Sequence, residues 1–65
     1  MITVGIAYNE IMRRIHTGDI MRIRDAAYKY KGKYIVDIVK SSTGYTITVE
    51  GGNTYQSVHK DEYVQ

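Results

Sequence analysis

The chain has no cysteine, no proline, no tryptophan and no phenylalanine. Without cysteine there is no disulfide framework and no thiolate zinc site, and the cytoplasm is the expected compartment. Without proline, turns must be built from Gly, Asn, Ser and Asp. No apolar run approaches the ~20 residues of a membrane span. The N-terminus also lacks the basic-then-apolar layout of a secretory signal. No membrane partner is expected. With 65 residues there is room for one core, so 1–65 reads as a single domain. A chain this short buries only roughly 60% of its unfolded surface, which makes self-association a natural expectation.

What is present is tyrosine and a charge imbalance. All seven aromatic residues are Tyr, a side chain that buries a ring while keeping its hydroxyl wet. Residues 11–34 carry Arg13, Arg14, Arg22, Arg24, Lys29, Lys31 and Lys33 against Asp19 and Asp25. Residues 35–65 carry Lys40 and Lys60 against Asp37, Glu50, Asp61 and Glu62. A basic first half facing an acidic end gives the molecule a directed field, as a polyanion-binding surface has.

Taken in order, Ile2, Val4 and Ile6 alternate with the strand period. Val4, Tyr8, Ile11, Met12 and Ile15 also follow the helix stripe, and both readings fit residues 2–6. β-Branched residues and Gly5 disfavour helix there, which predicts a short amphipathic helix over residues 8–16. Thr3 and Asn9 are both N-cap candidates; Glu10 would fall in the first turn, and Gly18 would stop the helix. Arg13 and Arg14 point mostly away from the packed side.

Residues 19–24 read as a strand and residues 28–33 as a basic loop. Residues 34–39 form a second strand, with Tyr34, Val36 and Ile38 on one face and Asp37 marking the wetter one. Residues 40–44 have hairpin-loop composition. Residues 45–50 alternate most cleanly, with Tyr45, Ile47 and Val49 inward. Gly51-Gly52-Asn53 is a tight turn needing positive φ. Residues 54–58 are a fourth strand, residues 59–62 a single 3₁₀ turn, and Tyr63-Val64 a last strand.

Two local motifs resemble SH3-like barrels over residues 18–64. Gly18-Asp19-Ile20-Met21-Arg22-Ile23 followed by Tyr30-Lys31-Gly32-Lys33-Tyr34-Ile35-Val36 is similar to the KOW-type opening. Ser57-Val58-His59-Lys60-Asp61-Glu62-Tyr63-Val64 is similar to the closing turn and final strand of SH3 domains. The resemblance implies a mainly β fold: a small five-stranded SH3-like barrel over residues 18–65, preceded by a segment, residues 1–17, that carries the helix. There are departures. Tyr34 stands where KOW modules have a second Gly. The Ala-Leu-Tyr-Asp-Tyr opening and paired Trp that serve proline-rich ligands are missing. Fold alone assigns no function.

The candidate site is residues 28–34. Lys29, Lys31 and Lys33 can neutralise phosphates, and Tyr28 and Tyr30 can stack on unpaired bases. Arg22 and Arg24 on the adjoining strand would extend the same surface, and Arg13 and Arg14 are candidates for an interface. His16 and His59 show no metal-ligand spacing, so no metal site is assigned. Ser57, His59 and Asp61 have the residue types of a hydrolytic triad but not its arrangement, so no catalytic residue and no cofactor are assigned. The leading expectation is a non-catalytic module that binds nucleic acid. The alternative is a protein-interaction module, such as an adaptor or a small inhibitor from a phage or mobile element. The third is a homo-oligomer with a small-ligand site between protomers.

Overall fold

A computed structural model describes residues 1–16 and 22–65, with His16 described by its backbone only. The order is β1 (Ile2–Thr3), α1 (Val4–His16), a 3₁₀ helix (Ile23–Ala26), β2 (Lys29–Tyr30), β3 (Lys33–Ser41), β4 (Gly44–Val49), β5 (Thr54–Val58) and β6 (Tyr63–Val64). The protein is mainly β, with one N-terminal helix and a curled four-stranded sheet, β2-β3-β4-β5. β1 and β6 form a separate antiparallel pair. Among the described residues no helix is long and apolar enough to cross a membrane.

Residues 2–6 resolve the ambiguity between the two periods by dividing it. Ile2 and Thr3 pair with Val64 and Tyr63, and the helix begins at Val4, four residues before the expected start. Val, Gly and Ile are poor helix formers, so propensity does not explain this start. Satisfied backbone groups do. The Val4 N–H donates to the Glu62 carbonyl at 2.8 Å, and the Gly5 N–H to the Lys60 carbonyl at 3.0 Å. Thr3 Oγ1 accepts from the Ile6 N–H at 3.4 Å. Three of the four unpartnered N–H groups of the first turn are thus satisfied. Two of the three carbonyl and hydroxyl partners come from the turn before β6. Glu10 therefore lies in the middle of the helix and not in its first turn.

The expected opening strand at residues 19–24 is not formed in its described part. Ile23 and Arg24 belong to the 3₁₀ helix. The Arg22 N–H donates to Asp25 Oδ2 at 3.3 Å, a local bond that competes with strand pairing. Residues 17–21, with the KOW-like Gly18-Asp19 and the helix stop at Gly18, lie outside the described residues.

The strands leave a gap, so no closed barrel forms, and the expected five strands are not the set observed. The two sheets are bridged: the Lys29 N–H donates to the Gln65 carbonyl at 2.7 Å, and the Gln65 N–H to the Lys29 carbonyl at 2.8 Å. One core runs beneath both. Val4, Ala7 and Ile11 from α1 meet Tyr30, Ile35, Ile38, Tyr45, Ile47, Val49, Val58 and Val64. The helix is part of that core and not an appendage to it.

β3 departs from strict alternation. Ile35 lies opposite Val49 and Asp37 opposite Thr48, so Val36 is an extra residue. A bulge of this kind reverses which side chains face the core. Ile35 and Ile38 are both buried and Val36 is exposed, which overturns the expected grouping of Tyr34, Val36 and Ile38 on the inner face. Tyr45, Ile47 and Val49 are buried, as their alternation requires. β3 also extends through Ser41, leaving a turn of only Ser42 and Thr43 before β4.

Candidate nucleic-acid interface

The basic segment 28–33, expected to be a loop, is a β-hairpin. Lys29 pairs with Tyr34 and Tyr30 with Lys33. Lys31 and Gly32 form the two-residue turn, with φ of 56° and 84°. Positive φ at both positions is what a type I′ hairpin turn requires. Gly32 adopts it without strain; Lys31 does so against its own Cβ.

Pairing fixes where each side chain goes. Tyr30 is only 5% exposed. Its ring packs edge-on against Tyr55 at 5.2 Å, and its hydroxyl donates to Glu62 Oε1 at 2.8 Å. Burial, together with the Glu62 carboxylate, pushes the Tyr30 hydroxyl up to about 12. The Glu62 carboxyl is held below its usual range, first by the Tyr30 hydroxyl and then by the His59 N–H. Tyr28 is half-buried and donates to Glu10 on α1. That bond, with burial second, raises the Tyr28 hydroxyl. Both tyrosines expected to stack on bases thus carry tertiary bonds.

The aromatic that joins the basic residues is Tyr34. The Lys29 ammonium sits 4.8 Å from its ring centroid and the Arg24 guanidinium 5.3 Å. Backbone bonds hold the strand there, from the Ile35 N–H to the Tyr28 carbonyl and from the Glu50 N–H to the Tyr34 carbonyl, both at 2.8 Å. Arg24 also donates to Glu50 Oε2 at 2.8 Å. This hydrogen-bonded carboxylate raises the Arg24 guanidinium above its ordinary value. Lys29, Lys33, Tyr34, Glu50 and Gly51 line an open groove of about 350 Å³. Lys33 passes over Gly51, where a Cβ would stand 3.5 Å from its Nζ.

The remaining sequence candidates scatter around this centre. Lys31 lies outside the groove lining, its Nζ 5.6 Å from the Tyr30 ring centroid. Arg22 is exposed at the start of the 3₁₀ helix. Arg13 is exposed on α1. Arg14 lines a small cavity with Glu10 and Tyr28, and its charge opposes the rise of the Tyr28 hydroxyl. The structure therefore brings Arg24 and Lys29 together on Tyr34, with Lys33 in the same groove, and leaves Tyr28 and Tyr30 in structural contacts. Tyr34 falls within the candidate stretch but was not named as a stacking ring, because the Val36 bulge that leaves it on the other side from Ile35 has no composition signal; Glu50 was missed because its pairing with Arg24 joins residues distant in sequence.

Among the described residues no three His, Asp or Glu side chains converge as metal ligands. Ser57 bonds Thr43 at 3.3 Å, and His59 Nδ1 accepts from the Asp61 N–H at 3.1 Å, so no Ser–His relay is assembled. The chain matches no family model, and no curated protein or solved structure is significantly similar to it.

Proposed function

We propose that the protein is a non-catalytic module that binds single-stranded nucleic acid through Tyr34 and the cations around it. The observation that carries the reading is the pairing of an outward tyrosine ring with Arg24 and Lys29 at the wall of an open groove. An exposed cation–π contact contributes only about 0.5–1 kcal/mol. Stacking a base on tyrosine contributes about 1–3 kcal/mol. A base arriving at Tyr34 can therefore displace the Lys29 ammonium, which is then placed to meet a phosphate. Lys33, Lys31 and Arg22 would contact neighbouring phosphates.

The reading extends to the fold. A short first strand paired with the last, the last bonded to the second, and a three-strand meander after it together support an open SH3-like barrel. In it, α1 would lie in the long connection between the first two strands.

Fluorescence anisotropy against labelled single- and double-stranded oligonucleotides tests the function. With three to five phosphates contacted, log K should fall with log salt at a slope of roughly −2 to −3.5 for a single strand. Absence of binding at low salt, or binding unchanged by Tyr34→Ala, would overturn the proposal.

A protein-interaction module is the second reading, and the exposed Val36 and Val39 side chains on the outer face of β3 favour it. A nuclease-resistant stoichiometric protein partner, with no oligonucleotide binding, would put it first.

A further inference from the structure

The β3–β4 hairpin has two ends. Tyr34 and Gly51 mark one. The other carries a second groove of about 330 Å³, whose lining includes Lys40, Ser41, Thr43, Gly44, Ser57, His59 and Lys60. Nine residues of β3 separate the two ends, roughly 25 Å at strand rise. The second groove is therefore a separate place on the molecule. We infer that it is a binding site for a phosphate dianion, free or carried as a monoester.

Three observations support this. The first is charge. Lys40 and Lys60 line the groove, and neither has an ion-pair partner among the described residues. The lining contains no carboxylate; the nearest in sequence, Asp61, lies 3.5 Å from His59 Nδ1. Two ammonium groups match the two charges of a monoester.

The second is donor orientation. Ser41 Oγ donates to the Gly44 carbonyl at 3.1 Å. Thr43 Oγ1 lies 3.4 Å from Ser41 Oγ and 3.3 Å from Ser57 Oγ. Each hydroxyl has one proton. With the Ser41 proton spent on Gly44, a Thr43 proton given to Ser57 leaves the Ser57 proton to turn to a ligand oxygen. His59 Nδ1 accepts from the Asp61 N–H at 3.1 Å, so in the neutral ring Nε2 carries the hydrogen and is a donor.

The third is construction. Ser57 has φ of 57°, a conformation that a residue with a Cβ adopts rarely. It sits where β5 holds one more residue than β4, since Tyr45 faces Val58 and Ile47 faces Tyr55. Gly44 lets the backbones close together: a Cβ there would stand 2.7 Å from the Val58 carbonyl oxygen. The fold thus accepts an unfavourable dihedral and a close approach at the point where the hydroxyls converge. A strand edge needing only to end would require neither.

The groove exceeds a phosphate in volume, so the ligand has room for an attached group. Nucleotides, sugar phosphates and free phosphate share the same dianion, and the test separates them. Two-dimensional amide NMR of the full chain is recorded during titration with inorganic phosphate, adenosine 5′-monophosphate and adenosine. Both phosphates should shift the amides of residues 40–44 and 57–60, and adenosine should not. Tighter binding of the nucleotide than of phosphate assigns the ligand as an esterified phosphate; equal binding assigns it as the free ion.

Lys40→Gln and Lys60→Gln should each weaken binding roughly tenfold. Ser57→Gly, which removes the hydroxyl but suits the positive φ, should weaken it about threefold. Lys29→Gln should leave it unchanged, which separates this site from the Tyr34 groove. Dispersed spectra for each variant establish that it is folded. Shifts absent from residues 40–44 and 57–60, equal shifts with adenosine, or wild-type affinity in both lysine variants would overturn the inference.

Discussion

Tyr30 and Glu62 should be energetically coupled, and the coupling should have a pH signature. The Tyr30 hydroxyl joins β2 to the turn before β6 through Glu62 Oε1 at 2.8 Å. The same carboxylate receives the His59 N–H on Oε2 at 3.1 Å, and the Glu62 carbonyl receives the Val4 N–H. One residue thus ties together β2, the closing turn and the start of α1. A hydrogen bond to a charged acceptor contributes about 1.5–3 kcal/mol when buried. Glu62 is exposed, so about 1 kcal/mol is the expected coupling in a Tyr30→Phe, Glu62→Gln double-mutant cycle. In a domain of this size that corresponds to a loss of roughly 4–8 °C in Tm.

The sign of the pH dependence follows from which form the fold prefers. The Tyr30 hydroxyl is raised to about 12, so the folded state holds its proton after the unfolded chain has released it near pH 10. The stability is complete below pH 10 and is lost as pH climbs from 10 to 12, by up to about 2 kcal/mol. Glu62 is lowered, so its share is present above the ordinary carboxylate value and is lost as pH falls through the folded one. Denaturant titrations from pH 3 to 12 read both limbs. Tyr30→Phe should flatten the alkaline limb relative to wild type and blunt the acid one. A coupling under about 0.3 kcal/mol, with the variant tracking wild type from pH 10 to 12, would refute the reasoning.

Three further changes test other parts of the structure. Gly44→Ala places a Cβ 2.7 Å from the Val58 carbonyl oxygen and should cost more than about 2 kcal/mol, read by urea denaturation. Ala27→Gly should stabilise by about 0.5–1 kcal/mol, because Ala27 ends the 3₁₀ helix at φ 60° and ψ 26°, where glycine has no Cβ penalty. Glu50→Gln removes the carboxylate paired with Arg24 on an exposed surface; it should leave Tm nearly unchanged and raise oligonucleotide affinity by roughly threefold.

The parts of the fold legible in the sequence are those set by short-range pattern. Strict alternation put Tyr45, Ile47 and Val49 in the core. Gly51-Gly52-Asn53 makes its turn with φ of 99° and 94° at the glycines, and the Glu62 N–H to His59 carbonyl bond at 3.1 Å closes a single turn over residues 59–62. The parts not legible depend on distant partners. Nothing near Val4 announces that Lys60 and Glu62 carbonyls will satisfy the first turn of the helix, and against propensity they move its start by four residues. Alternation placed a strand at residues 19–24, but in the described chain the strand that precedes β2 is Ile2–Thr3, whose partners Val64 and Tyr63 lie about 60 residues away.

The same contrast explains why the candidate site shifted along its own segment. Lysine and tyrosine interleaved over residues 28–34 mark a basic aromatic surface, and charge does gather there. Composition cannot say which tyrosines face out, because that depends on strand parity, and parity depends on one inserted residue. With Val36 bulged, Ile35 and Ile38 can both enter the core, and Tyr34, on the strand's other side from Ile35, is left beside Arg24 and Lys29. Tyr30, its cross-strand neighbour by one register step, goes inward and spends its hydroxyl on Glu62. A segment with three tyrosines thus yields two structural rings and one that lines the open groove. The division follows from β3 having to bury Ile35 and Ile38 at a spacing that an unbroken strand does not allow.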